Sequence, residues 1–126
     1  MKWTKAQNDA IQSRGSNLLV SAAAGSGKTA VVTQRAIDLI VNEDVDISRI
    51  LMITFTEAAA MEMRSRLGSR LMQEINNGNQ AERLSRQLEK LNDSSISTVH
   101  AYCISLLRRN YHSADVDPDF TVLGED

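Results

Sequence analysis

Apolar positions along this chain alternate between short continuous runs and a three-to-four-residue spacing, and that alternation predicts strands and helices in turn. Trp3 and Thr4 open a first helix reaching to about Arg14, with Gly15 as its stop, and Thr4 to Gln7 has the spacing of a capping box. The run Asn17–Ser21 reads as a buried strand, and Lys28 to Val41 as an amphipathic helix followed by an acidic, solvated connection at Asn42–Asp46. Ile50–Phe55 reads as a second strand. Thr56 then caps a helix in which Ala60, Met63, Leu67, Leu71 and Ile75 share a face, broken at Asn76–Asn79. Gln80 to Leu91 is a further helix, Ser95–Val99 a third strand, and Ala101 to about His112 a helix ending in basic residues. The order α-β-α-β-α-α-β-α predicts an α/β fold, a parallel sheet flanked by helices on both faces, with ligands beyond the carboxyl ends of its strands.

Composition narrows this picture only slightly. A chain of 126 residues with 42% hydrophobic content is enough for one globular domain with a core. Its net charge of -2 gives no general basic footprint, so any nucleic-acid partner has to be argued from motifs. The single cysteine, Cys103, cannot form an internal disulfide, and no apolar run approaches the roughly 18 residues of a membrane span or resembles a signal peptide. A cytoplasmic protein without a membrane partner is the expectation. The stretch Phe120–Asp126 has neither the helix nor the tail that would finish a domain, so we expect a fragment.

The chemistry concentrates between the first predicted strand and the helix after it. Ser21-Ala22-Ala23-Ala24-Gly25-Ser26-Gly27-Lys28-Thr29 reads as a phosphate-binding loop (P-loop). Gly25 and Gly27 would let backbone N–H groups approach an anion, and the helix opening at Lys28 adds its positive end. Lys28 would then meet the β- and γ-phosphates of a nucleoside triphosphate such as ATP, while the Thr29 hydroxyl takes a place on Mg2+. Ala22 stands at the first glycine position of the strict pattern, a mild change at a position that mainly shapes the turn. The bland alternative is a Gly-Ser-Gly turn followed by a surface lysine.

Two further groups fall at predicted strand ends, Thr54-Phe55-Thr56-Glu57 and Thr98-Val99-His100. Phe55 and His100 suit flat partners, because aromatic faces stack unpaired bases without reading sequence. Hydroxyls of Thr54, Thr56 and Thr98, with the helix start at Thr56, suit phosphates. Core packing for Phe55 and a satisfied helix-start ring for His100 are the competing readings.

Four ordered segments now carry a resemblance: Gln7, Ala24–Thr29, Ile53–Thr56 followed by Ala58–Arg64, and Ile96–Cys103. Together they resemble the opening motifs of the superfamily 1 UvrD/Rep/PcrA DNA helicases. The Trp3-Thr4 opening, Ala22–Ala24, Ala30, the helical insert from Gln73 to Asp93 and Asp117–Phe120 are most similar to the AddA subunits of AddAB helicase–nucleases. The resemblance implies that residues 1–126 are the N-terminal part of a RecA-like motor lobe, incomplete in itself. It implies that Gln7 reads the adenine edge, that Ala22, Ala23, Ala24, Gly25, Ser26, Gly27, Lys28 and Thr29 hold ATP and Mg2+, and that Phe55, Thr56 and His100 touch single-stranded DNA. Arg64 resembles the arginine of the helix that follows; a solvated helix charge is the alternative. Glu57 replaces the motif's Asn and sets an anion beside the phosphate track.

The same resemblance implies an ATP-dependent 3′-to-5′ DNA helicase in break repair, with a nuclease domain and an AddB-type partner in the full-length protein. The carboxylate pair and arginine fingers such a motor needs are missing from these residues. Leu39–Asp44 only imitates the carboxylate motif, since it falls at a helix end. A UvrD/Rep-type helicase without a nuclease, a P-loop small-molecule kinase and a non-catalytic nucleotide-binding module start from the same loop and stay open here.

Overall fold

The computed structural model describes residues 2–123, so the last three residues of the Phe120–Asp126 stretch fall outside the described residues. Helix α1 spans Lys5–Gln12. At its start the Thr4 hydroxyl accepts the Gln7 N–H at 3.3 Å while the Gln7 Oε1 accepts the Thr4 N–H at 2.9 Å, the reciprocal box its spacing predicts. The helix stops short of Arg14, whose guanidinium instead closes its end on the Ile11 carbonyl and pairs with Asp38 and Glu43. Helix α2 follows at Lys28–Asn42, strand β1 at Leu51–Thr54 and helix α3 at Glu57–Asn76. Helix α4 is Ala81–Lys90, strand β2 Ser95–Thr98, helix α5 Val99–Arg109 and the short α6 Tyr111–Ala114.

The fold is α/β, with β1 and β2 parallel in the register Leu51↔Ser95 through Thr54↔Thr98. The strand expected at Asn17–Ser21 is not part of this sheet. A strand exists through its ladder with a neighbour; β1 and β2 pair with each other, and among the described residues nothing ladders with the 17–21 run. Leu19 in that run is 92% exposed.

Helices on both faces were also expected, yet the core lies on one. Met52 and Ile96, side by side in the ladder, are buried with Ile37 and Ile40 of α2, Leu67 and Leu71 of α3 and Leu84 of α4. On the other face Leu51 is 47% and Ile53 40% exposed, opposite Ser95 and Ser97. A second, smaller cluster joins Ala10 and Ile11 of α1 to Val31 of α2, with Trp3 against it, and so seats α1 on the first turns of α2. One helical glycine has a packing reason. A Cβ on Gly68 of α3 would come within 3.1 Å of Leu91 Cδ2, so its absence lets the end of α4 close on α3.

A polar knot fixes the connection before β1. Gln87, buried on α4, accepts the Ile47 N–H at 2.7 Å and donates to Asp46 at 3.1 Å. Asp46 also receives Lys90 Nζ at 2.6 Å and the Ser48 hydroxyl and N–H. The Lys90 ammonium, with the donors from Ser48 and Gln87, holds the Asp46 carboxyl well below the usual carboxylate range. A depressed folded-state pKa stabilises the fold above the unfolded value near 4, and that contribution is lost as pH falls toward the folded one. Asp46→Asn should therefore be less stable than wild type in urea melts at pH 6, with the gap narrowing steadily below about pH 4. A gap that stays constant down to pH 3 would show that the knot does not act through charge.

Candidate functional site

The site residues fall into two constellations, one at the start of α2 and one at the ends of the strands; no hydrogen bond among the described residues joins them. The first is a turn. Ser26 N–H donates to the Ala23 carbonyl at 3.2 Å, with Gly25 at φ +77° and Gly27 at φ +84°, left-handed values that glycine adopts without a Cβ penalty. Gly27 is also the N-cap of α2, and as glycine it offers no side-chain acceptor to the helix's first N–H groups. Thr4, Thr56 and Thr98 cap α1, α3 and α5 with their hydroxyls, while α4 and the short α6, like α2, begin without a side-chain cap. Among the described residues, only where the glycine-rich loop meets α2 does a helix begin on a glycine.

With no ladder beneath it, the loop is held from the side. Gln7 Nε2 donates to the Ser26 carbonyl at 3.3 Å and lies where a Cβ on Gly27 would meet it at 3.4 Å. Lys28 Nζ turns back to donate to the Ala22 carbonyl at 2.9 Å. Between α1 and the loop lies a cleft of about 120 Å³, lined by Gln7, Ala10, Val20, Ala22, Lys28 and Val31. Ala22, Ala23, Ala24, Gly25 and Ser26 are exposed, and Thr29 lies half-buried in the first turn of α2. A larger cavity of about 510 Å³ lies near the far end of α2, where Arg70 pairs with Glu74, Asn79 donates to Glu74 and Asn42 donates to Asp38, while the buried Arg70 Nε has no partner among the described residues. It carries no chemistry comparable to the loop. Glu43 and Asp44, in the stretch that imitates a carboxylate motif, pair with Arg14 and Arg83.

The second constellation follows from the sheet register. Thr54 and Thr98 are ladder partners, and each strand leads almost at once into a helix, so α3 and α5 start beside each other. Thr56 accepts the Ala59 N–H at 3.1 Å; Thr98 accepts the Ala101 N–H at 3.1 Å and donates to Glu57 Oε1 at 3.3 Å. Phe55 is 91% exposed between them, so core packing does not account for it. His100, in the first turn of α5, is exposed as well. Arg64 is partly buried, and its guanidinium turns inward to donate to the Ile96 carbonyl, tying α3 to β2 rather than standing as a freely solvated helix charge. The Glu57–Thr98 bond spans 41 residues and had no local signal; Thr98 two residues before His100 is itself a recognisable cap.

A family model described as the UvrD/REP helicase N-terminal domain matches residues 3–126. Among curated proteins, the chain is 52% identical over 122 residues to an ATP-dependent helicase/nuclease subunit from Alkaliphilus oremlandii, 96% of this chain and 10% of that protein. It is 48% identical over 123 residues to the protein of that name in Clostridium beijerinckii, and 49% identical over 127 residues to the one in Thermoanaerobacter sp. strain X514. These cover 96% and 99% of this chain and 10% of each relative. The chain thus spans about a tenth of the length of these relatives. With its glycine-capped helix and paired strand tips carried on a sequence that the family model covers almost throughout, the chain belongs to the UvrD/REP helicase family.

Proposed function

We propose that these residues form the nucleotide-binding part of a RecA-like motor lobe in an AddA-like, ATP-dependent DNA helicase–nuclease. The observation that carries the nucleotide half is the start of α2, where a loop with left-handed Gly25 and Gly27 runs straight into a helix whose first N–H groups have no side-chain cap. Gly25 and Gly27 supply the left-handed backbone, Lys28 exchanges the Ala22 carbonyl for a phosphate oxygen, and the Thr29 hydroxyl serves Mg2+. When bound, the triphosphate and its metal supply the hydrolysable bond and the charge that drives closure of a motor cleft. Gln7 positions the loop through Ser26 and borders the cleft in which a base could lie.

Single-stranded DNA fits the strand tips. The exposed Phe55 and His100 offer stacking faces, and Thr56 starts a helix beside them. The relatives' shared name, which calls them helicase/nuclease subunits, supports a nuclease activity and a partner subunit in the full-length protein, and our reading makes that partner one of the AddB type. Work on DNA implies a cytoplasmic setting; no described helix is long and apolar enough to cross a membrane.

Three outcomes test this reading. Lys28→Ala in the full-length protein should abolish ATP-driven unwinding with the fold intact, and unwinding within about tenfold of wild type would overturn the phosphate-loop assignment. Phe55→Ala or His100→Ala should weaken single-stranded DNA binding by about 1–3 kcal/mol with little change in salt dependence, because stacking releases no counterions; unchanged binding removes the tips from the DNA path. Residues 1–126 alone, given Mg2+-ATP and single-stranded DNA, should release no phosphate above background, since arginine fingers alone contribute about 10³–10⁵ in rate. Sustained hydrolysis lost in the Lys28→Ala form would place a catalytic carboxylate within these residues.

A further inference from the structure

We infer that Glu57 sets the strength of the DNA grip at the strand tips, its carboxylate offsetting the positive ends of two adjacent helices where a backbone phosphate would otherwise settle. The inference rests on the proposed DNA path. Glu57 is the first residue of α3, next to the Thr56 cap, and so lies at the positive end of its own helix. It also accepts the Thr98 hydroxyl at 3.3 Å, and Thr98 is the cap of α5. The register Thr54↔Thr98 sets the α5 cap beside the strand end that leads, two residues on, to the α3 cap, so the Glu57 carboxylate reaches from one start to the other.

Without that charge, the positive ends of the two helices, with the hydroxyls of Thr54 and Thr56, would draw an anion to the surface beside Phe55 even with both caps made. With it, the same surface presents an exposed aromatic face next to a resident anion. Stacking then carries more of the binding and phosphate attraction less, which suits a strand that has to be held and released repeatedly. The competing role is mechanical, with Glu57 acting only as a staple between the two turns.

Charge and staple separate with two substitutions in the full-length protein. Glu57→Gln keeps an acceptor for the Thr98 hydroxyl and removes the charge; Glu57→Ala removes both. Single-stranded DNA affinity measured from about 50 to 200 mM salt should rise about fivefold for Glu57→Gln at the low end, the scale of one charge–charge contact at about 4 Å in water. Its salt dependence should steepen by up to about 0.7 in the log–log slope. Wild-type affinity and slope in Glu57→Gln, with weakened binding in Glu57→Ala, would overturn the electrostatic role in favour of the staple. Phe55→Ala and His100→Ala are measured alongside: if they weaken binding while Glu57→Gln changes nothing, this inference alone fails, and if none of the variants moves the affinity, the DNA path fails with it.

Discussion

Parallel pairing of Leu51–Thr54 with Ser95–Thr98 is the constraint on which the strand-tip geometry depends. It is secured from one side, by Met52 and Ile96 buried against α2, α3 and α4, and from the carbonyl side by Arg64 reaching Ile96 from α3. Once the ladder is in register, Thr54 and Thr98 stand level. The turns that follow must then deliver two capped helices side by side, with Phe55 left outside. Arg64 contributes by reaching inward: it donates to the Ile96 carbonyl of the strand that carries Thr98.

What could be read from the sequence was whatever depends on neighbours within a few residues. The face of α3 was legible because Ala60, Met63, Leu67 and Leu71 recur at helical spacing, and all four are buried. The Thr4–Gln7 box and the Thr56 cap were legible for the same reason, each closing within three residues. Asn17–Ser21 failed because its apolar run signals a partner it does not find among the described residues; hydrophobicity can announce a strand, but only a ladder makes one. The Arg64–Ile96 and Glu57–Thr98 bonds span 32 and 41 residues, distances over which spacing carries no information. The left-handed turn of the loop was legible in its glycines, whereas the resting place of Lys28 on the Ala22 carbonyl was not.

That resting place and the grip of Gln7 belong together. Lacking a ladder, the loop depends on α1, and α1 depends on its cap and on the Ala10, Ile11 and Val31 cluster. Gln7 joins the two: one amide atom completes the cap and the other reaches the Ser26 carbonyl. Each end of the amide keeps room for a second bond, one N–H and one oxygen lone pair, so Gln7 can meet the edge of a base while the cap and the loop contact stay in place. Base recognition through Gln7 would therefore be felt at the loop, because the bond that steadies Ser26 lies one residue from the glycine that starts α2.

The two constellations use the helix terminus in opposite ways. At α2 the cap residue is a glycine, the N–H groups are left to an external anion, and a lysine waits on a carbonyl that it can give up. At α3 and α5 threonines close the same kind of terminus, and Glu57 supplies a resident anion between them. The first arrangement favours tight capture of a compact, highly charged ligand; the second lowers the reward for phosphate and leaves stacking on exposed rings as the main attraction. On the proposed function, a motor that hydrolyses one ligand while stepping along another would draw on that asymmetry, and it is set by which residue precedes each helix.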